Sequence, residues 1–218
     1  MKVKHLVGAF LCVLGCYACS SPKTEVQSPD GHIKMTLTVD ENGKPFYNVS
    51  VDDSLLIENS AMGFTAANGI ILAEGFQVKN TTFSSEDETW TQPWGENKKN
   101  RNHYNEMAVS LTNEDQVQLT LRFRVFDDGI GFRYEYTVPT VDSLLITDEL
   151  TTFRFHRDGT SWSIPASAET YELLYQQQPI SEVETANTPF TFKTADGVYG
   201  SIHEAALYDF PEMTLKQI

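Results

Sequence analysis

Hydrophobic and polar residues alternate along much of the chain from residue 32 onward. In HIKMTLTV, every second residue from Ile33 to Val39 is apolar, and FYNVSVDDSLLI continues the pattern beyond a turn. Successive side chains of a β-strand point to opposite faces of the sheet, so a period of two indicates a strand with one buried face. The sequence therefore predicts β-strands in both segments.

The clearest strand is predicted in QVQLTLRFRVF. Five apolar residues alternate there with Gln, Thr and Arg, namely Val117, Leu119, Leu121, Phe123 and Val125. An Asp-Asp-Gly turn follows, and IGFRYEYTV alternates again, which predicts a β-hairpin. Further short strands are predicted in LTTFRFHRDG, TFKTADG and VYGSIHEAAL.

Helical periodicity is nearly absent, since only ETYELLYQQQ could form one or two helical turns. Many short strands separated by turn residues are typical of a β-sandwich. We therefore predict an all-β fold, with one sandwich domain over residues 32–218. The final segment, EMTLKQI, resembles the start of another strand, so we expect the sandwich to be incomplete at the C-terminus.

The N-terminus has the pattern of an export signal. A short basic segment, MKVKH, precedes the apolar run LVGAFLCVLG, which is too short to span a bilayer as a helix. We assign residues 1–19 to the signal and the polar residues 20–31 to a linker. The protein is accordingly expected to be exported, to the periplasm or outer membrane of a Gram-negative bacterium.

All three cysteines lie within this signal, so the exported part has no cysteine for a disulfide. Cys19, before Ser-Ser-Pro, resembles the lipidated cysteine of a bacterial lipoprotein, and Cys16 is the alternative. Plain secretion with cleavage after Ala18 is a third possibility. Membrane attachment is expected only through such a lipid anchor.

Composition and charge narrow the classes of ligand. The 218 residues are 40% hydrophobic, and 30 acidic residues against 16 basic ones give a net charge of −14. Such a surface argues against binding nucleic acid or anionic lipid. It is compatible with a neutral ligand, or with a metal ion held by carboxylates.

One segment, WTQPWGENKKNRNHYNE at residues 90–106, combines two tryptophans with many polar side chains and almost no aliphatic ones. Sugars have apolar C–H faces ringed by hydroxyl groups, so a sugar site needs aromatic faces together with amide, carboxylate and guanidinium partners. The segment has that chemistry. The alternative is a long loop whose tryptophans cover one end of the sandwich while its polar groups are solvated.

Glu204, in SIHEAALYDF, follows a predicted strand. A glutamate there could give one oxygen to Ca²⁺, which takes six to eight oxygen ligands. On the residues alone, a solvated carboxylate is the better explanation of Glu204. No set of residues has the spacing of a zinc site, and no serine lies in a nucleophile elbow.

Several motifs, in this order, resemble one known family. They are SPDGHIKMTL, ETWTQPWGENKKNRNHYNE, VFDDGIGFRYEY, WSIPA with ETYELLY, and YGSIHEAALYDFPEM. Together they resemble the N-terminal domain of glycoside hydrolase family 97, which contains α-glucosidases and α-galactosidases of Bacteroidetes. The resemblance extends over residues 25–218.

The resemblance implies a β-super-sandwich similar to galactose mutarotase, followed in the family by a (β/α)8 barrel with the catalytic carboxylates. It implies that Glu204, the glutamate of H-E-A-A-L, is a Ca²⁺ ligand completed by the barrel. Since glycoside cleavage requires two carboxylates that the family takes from its barrel, this chain alone is not expected to be catalytic. The expected partners are an α-linked oligosaccharide and the barrel.

The resemblance also places residues 90–106 in a loop near the junction with the barrel. The candidate substrate-binding residues there are Trp94, Arg101, Asn102, His103 and Glu106.

Two other functions remain open from the sequence. One is a stand-alone sugar-binding lipoprotein without catalysis. The other is a mutarotase-like enzyme, which would need His103 as general acid and Glu204 as base converging on one concave face.

Overall fold

The computed structural model describes residues 24–139, 141–208 and 210–218, with only the backbone at Asn68. The predicted export signal and the lipidation at Cys19 or Cys16 lie outside these residues and stay predictions. The described strands are β1 (Glu25–Gln27), β2 (Ile33–Val39), β3 (Pro45–Val51), β4 (Ser54–Ala61), β5 (Phe64–Ala66), β6 (Ile71–Leu72), β7 (Gln77–Thr91), β8 (Lys99–Thr112), β9 (Gln118–Phe126), β10 (Ile130–Thr137), β11 (Ile146–Glu149), β12 (Gly159–Ser163), β13 (Gln176–Pro179), β14 (Thr185–Asn187), β15 (Phe190–Thr194), β16 (Tyr199–Ile202) and β17 (Thr214–Lys216). Two short 3₁₀ helices, Ala67–Gly69 and Ile180–Glu182, complete the described elements.

Two antiparallel four-stranded sheets form the first half of the fold, with strand orders β1-β2-β3-β4 and β10-β9-β8-β7. The β3–β4 hairpin turns at Asp52 and Asp53, which both have positive φ. Aspartate tolerates this conformation, and a two-residue turn of this kind matches the twist of the flanking strands.

The main core lies between these two sheets. The inward residues of β2, such as Met35 and Leu37, belong to the same buried cluster as Leu121 and Phe123 of β9. All five alternating residues predicted for β9 are at most 1% exposed. The apolar face of each strand therefore closes on that of the other sheet, as in a β-sandwich.

A third four-stranded sheet, in the order β13-β12-β15-β16, carries a smaller core of its own. Its buried residues are Val183, Ala186, Phe190 and Phe192. Leu56 and Phe155 pack against this smaller cluster and also against the main one, so they join the two. Two small sheets, β11-β5-β6 and β14-β17, complete the topology.

The all-β prediction is confirmed, as are the strands over residues 33–39, the β9–β10 hairpin and a strand within EMTLKQI. The helical turns predicted in ETYELLYQQQ are wrong, because its last residues form β13, which pairs with β12. LTTFRFHRDG lies alongside β4 but makes only the isolated bridge Ile57–Phe155. The first strand of the described residues, β1, lies inside the expected linker of residues 20–31.

The loop predicted for residues 90–106 is also wrong. Most of this segment lies in β7 and β8, which pair over their whole lengths as a long antiparallel hairpin. Among the described residues, none belongs to a helix long and apolar enough to cross a bilayer.

Candidate functional site

The end of the β7–β8 hairpin continues past the neighbouring strands as a two-stranded ribbon. β9 pairs with β8 only from Tyr104 onward, whereas β7 pairs with β8 as far as Thr91 and Lys99. A further hydrogen bond from the Gln92 backbone N–H to the Lys98 carbonyl extends the ladder by one rung. We call residues 86–103 the ribbon; four of the five predicted sugar-binding residues lie in it.

On one face of the ribbon, an ion pair joins the two strands. The Arg101 guanidinium donates two hydrogen bonds of 2.7 Å, from Nε and Nη2, to the two carboxylate oxygens of Asp87. This hydrogen bonding, more than the charge alone, holds the pKa of Asp87 below its ordinary value. Because the guanidinium is used in this bidentate contact, Arg101 fixes the two strands against each other.

His103 lies beside Arg101 on the same face, where the ribbon meets the β9–β10 turn. Its Nδ1 is 3.6 Å from a carboxylate oxygen of Asp127. Asp127 also accepts a hydrogen bond of 2.9 Å from the Asp30 backbone N–H. The turn that the sequence predicted at Asp127 therefore links the ribbon base to the segment between β1 and β2.

The other face of the ribbon is open. Trp90 is directly opposite Asn100 in the register, and Glu88 is opposite Asn102. The Asn102 amide donates a hydrogen bond of 3.0 Å to the Glu88 carboxylate. Residues two apart share a face of a strand, so an indole ring and an amide–carboxylate pair occupy successive rungs. We call Glu88, Trp90, Gln92, Asn100 and Asn102 the open face.

Trp94 lies in the turn at the ribbon tip and is 82% exposed. Together with Thr91, Gln92, Pro93, Gly95 and Lys98 it lines a concavity of about 570 Å³. Gly95 has a φ of +109°, a conformation that side-chain-bearing residues rarely adopt, so glycine suits this turn. The tip thus presents an indole with polar groups around it.

Glu106, the last of the predicted sugar-binding residues, is only 8% exposed and is held by two arginines. It accepts a hydrogen bond of 2.5 Å from Arg122 and one of 2.8 Å from Arg124. Burial opposes its ionisation, but these bonds outweigh that cost and lower the pKa of Glu106. Arg122 also donates to Glu135, which makes the group a network across three strands.

Glu204, the predicted metal ligand, lies just after β16, whereas the ribbon is formed by β7 and β8. One carboxylate oxygen accepts a hydrogen bond of 2.6 Å from the Thr188 hydroxyl, and the other accepts one from the Met213 backbone N–H. Partial burial raises its pKa, but these hydrogen bonds outweigh the burial and hold the pKa of Glu204 below its ordinary value. Glu204 is therefore ionised and fixed in position near neutral pH.

The Glu204 carboxylate lines a small cavity of about 230 Å³. The other lining residues are Tyr171, Asn187, Thr188, Leu207, Glu212 and Met213. Asn187 is 2% exposed and its side-chain nitrogen has no hydrogen-bond partner among the described residues. A buried N–H donor without a partner costs free energy, so we expect a hydrogen-bond acceptor from outside the described contacts to complete the cavity.

Sequence reasoning found Glu204 but missed Asn187 and Glu212. Asn187 is buried at the end of β14. In the sequence it lies among polar residues, so it could equally have been assigned to an exposed turn. Glu212 is brought to the cavity because β17 pairs with β14. Only that long-range pairing, which the sequence does not show, places both residues beside Glu204.

His103 and Glu204 do not form the pair that a mutarotase-like reaction would need. The nearest carboxylate to His103 is that of Asp127, whereas Glu204 is held by Thr188 and Met213. The concavity at the ribbon tip and the cavity at Glu204 share no lining residue. Within the part of the chain that the structure describes, the two candidate sites are therefore separate.

By fold, the protein is an all-β sandwich domain with an aromatic ribbon and a fixed, ionised glutamate. The sequence profile of the family described as "Glycosyl-hydrolase 97 N-terminal" matches residues 26–218. That match covers most of the chain, so the chain belongs to this family.

Individual proteins that are similar to this chain include enzymes of the same family. Two solved structures of a glycoside hydrolase family 97 enzyme from Pseudoalteromonas sp. strain K8, in complex with panose and with acarbose, each match 89% of this chain at 38% identity with a TM-score of 0.83. A retaining α-galactosidase of Bacteroides thetaiotaomicron is 24% identical over 98% of this chain. A β-arabinopyranosidase structure, at 24% identity and a TM-score of 0.69, shares the fold.

These relatives are much longer than the part that matches. The chain spans 30% of the Pseudoalteromonas enzyme and 33% of the α-galactosidase. The matched part is thus about a third of each relative.

Proposed function

We propose that this domain serves a glycosidase that cleaves α-linked glucosides or galactosides, and that Glu204 supplies one ligand to a Ca²⁺ ion at the catalytic centre. The observation that carries the proposal is the fixed, ionised Glu204 carboxylate, which lines a cavity together with Glu212 on a domain of family 97. The substrate class follows the relatives, of which one is an α-galactosidase and one binds panose and acarbose.

The residues around the cavity suit calcium in part. Two carboxylates, Glu204 and Glu212, line it, and Ca²⁺ prefers such oxygen ligands. Each Glu204 oxygen already accepts one hydrogen bond, and a carboxylate has about four acceptor sites in all, so capacity for a metal remains. The ion's role when bound is to polarise a substrate oxygen.

The remaining ligands must come from elsewhere. Among the described residues, no group of three or more His, Cys, Asp or Glu side chains is arranged to hold a metal. Ca²⁺ needs six to eight oxygens, more than this cavity offers. We propose that a catalytic barrel of the same polypeptide, the partner that the resemblance implies, supplies them together with the catalytic carboxylates.

The surface around the cavity supports a packed partner. Leu174 and Tyr208 are 88% and 86% exposed, and along the chain they lie within three residues of Tyr171 and Leu207, which line the cavity. Large apolar side chains clustered around a polar cavity are typical of an interaction surface. Packing of the barrel here would bury these side chains and close the cavity over Glu204.

The test is Glu204→Gln in the full gene product, which keeps the shape of the side chain and removes its charge. We expect calcium affinity, measured by isothermal titration after chelation, to fall at least about tenfold, because one anionic ligand is lost. Activity on a 4-nitrophenyl α-glycoside should then require correspondingly more calcium.

The matched control is Glu114→Gln, in an exposed turn far along the chain from the cavity. It should leave calcium affinity unchanged. If Glu204→Gln also leaves calcium affinity unchanged, Glu204 is not a ligand and the proposal fails.

A further inference from the structure

The ribbon is a surface feature that the role proposed for Glu204 does not use. Its open face has both aromatic and hydrogen-bonding groups, and within the described residues its two strands pair only with each other beyond the point where β9 leaves β8. Two-stranded hairpins are marginally stable without further packing, so we expect a ribbon of this length with exposed indoles to contact another molecule. The side chains of the open face indicate the class of that molecule.

The geometry points to an oligosaccharide-binding site on the open face of the ribbon, separate from the cavity at Glu204. This inference rests on the proposed function, since the ligand is the same class of α-linked sugar chain. It goes further by placing a second, non-catalytic contact with that chain on named residues.

The open face offers contacts at successive positions along the strands. Rungs that share a face lie about 7 Å apart along a strand, so two neighbouring rungs can contact different units of one sugar chain. The indole of Trp90, 49% exposed, occupies one rung, and the Asn102–Glu88 pair occupies the next. One ring can therefore stack on Trp90 while its neighbour in the chain bonds to the amide and carboxylate.

The polar groups of the open face are already ordered. The Asn102–Glu88 hydrogen bond fixes both side chains, and the Gln92 amide is fixed by its bond of 2.9 Å to the Asn97 carbonyl. Arg101 and Asp87 clamp the strands from the other face. Pre-ordered groups lose less conformational entropy on binding, which favours a weakly binding neutral ligand.

Other classes of ligand fit the ribbon less well. Its four carboxylates, at Glu86, Asp87, Glu88 and Glu96, outnumber its Lys and Arg side chains, so it offers no net positive charge to a polyanion such as nucleic acid. The open face has no aliphatic side chain, whereas the core of a protein interface is apolar and poor in charged residues. A neutral polyhydroxyl ligand fits an indole among amides and carboxylates.

The open face also lies far from Phe210, which belongs to the segment that follows Glu204. Phe210 and Tyr136 both pack on Phe64, and the register puts Tyr136 level with Leu111 of β8. Asn100 is eleven residues before Leu111 on the same strand, which is roughly 36 Å at about 3.3 Å per residue. The open face is thus far along the sheet from the level where Phe210 packs.

The test is binding of maltoheptaose to the protein by equilibrium dialysis in the presence of EDTA. Chelation suppresses the calcium-dependent reaction, whereas the ribbon contains no proposed metal ligand. Wild type and Glu204→Gln should bind equally, and Trp90→Ala should weaken binding at least about tenfold. Asn102→Ala, which keeps the indole, should weaken binding by a smaller factor.

The matched control is Phe83→Ala, which removes another exposed aromatic side chain from the same strand but on the opposite face. It should bind like wild type. Equal loss in Phe83→Ala and Trp90→Ala, or no loss in Trp90→Ala, would overturn the inference.

Two other results would also overturn it. Binding that disappears in EDTA and in Glu204→Gln, but persists in Trp90→Ala, would place the sugar at the cavity and leave the proposed function intact. A change of oligomeric state in Trp90→Ala, seen by light scattering together with unchanged sugar binding, would make the ribbon a protein contact instead.

Discussion

Two glutamates show how neighbouring groups decide what a carboxylate can do. Glu106 is held between Arg122 and Arg124, so its charge is neutralised within the sheet. Glu204 is held by a hydroxyl and a backbone N–H, neither of which carries charge. Its negative charge therefore remains available to a cation, whereas that of Glu106 does not. The structure thus makes Glu106 a positioning group for the base of the ribbon.

The same network gives the fold a defined dependence on pH. The hydrogen bond from Arg122 is the main cause that lowers the pKa of Glu135 from 4.5 to about 2. Since this pKa is lower in the folded state, the stabilisation is complete above about pH 4.5 and is lost as the pH falls toward about 2. We expect the free energy of unfolding, from urea titrations, to fall through this window.

Arg122→Met should make that fall shallower, because Glu135 then loses its main partner. Lys79→Met, which removes an exposed charge outside the network, should leave the pH dependence unchanged. An identical pH dependence in wild type and Arg122→Met would mean that the ion pairs contribute nothing to folding.

At the scale of elements, the sequence predicted those strands that have one buried face. Val117 to Val125 alternate because every second side chain enters the core. The ribbon has no buried face beyond the sheet, so Trp90 to His103 show no alternation and could be read only as a loop. The order of strands was equally out of reach, because pairings such as β14 with β17 join residues far apart in the chain.

The candidate site was predictable to the same extent. The family motif identified Glu204, and the polar and aromatic composition identified the segment of the ribbon. Which of its residues are free to bind was not predictable, since that depends on cross-strand partners: Arg101 is used by Asp87, whereas Trp90 faces solvent.

Gly159 lies where β12 and β15 approach each other closely, so a substitution there tests how these two strands pack. A Cβ added there would lie 2.1 Å from the Lys193 carbonyl oxygen and 2.7 Å from the Thr194 Cα, both backbone atoms of β15. Gly159→Ala must therefore separate β12 from β15, and we expect the free energy of unfolding to fall by about 1–3 kcal/mol. Urea denaturation followed by tryptophan fluorescence measures this, since Trp162 lies in β12.

Gly129→Ala is the matched control, because a Cβ there meets no atom within 4 Å. It should change the free energy of unfolding by less than about 0.5 kcal/mol. Equal stability of the two variants would show that β12 and β15 are not packed as closely as described.

At the scale of the whole molecule, the fold places two kinds of surface on one domain. The main sandwich carries the ribbon with its open face, whereas the Glu204 cavity is lined chiefly by the end of β14 and by the segment between β16 and β17, near exposed apolar side chains. Since Leu56 and Phe155 pack against both cores, the two halves are joined by shared apolar contacts. A domain built this way can hold a metal ligand toward a partner while its ribbon stays free to contact a sugar chain.

Anomalous X-ray scattering from crystals of the full gene product, grown with calcium, shows whether Glu204 is a calcium ligand. We expect an anomalous peak for calcium about 2.3–2.6 Å from a Glu204 carboxylate oxygen. A calcium peak elsewhere, with Glu204 bonded only to Thr188 and Met213, would contradict it.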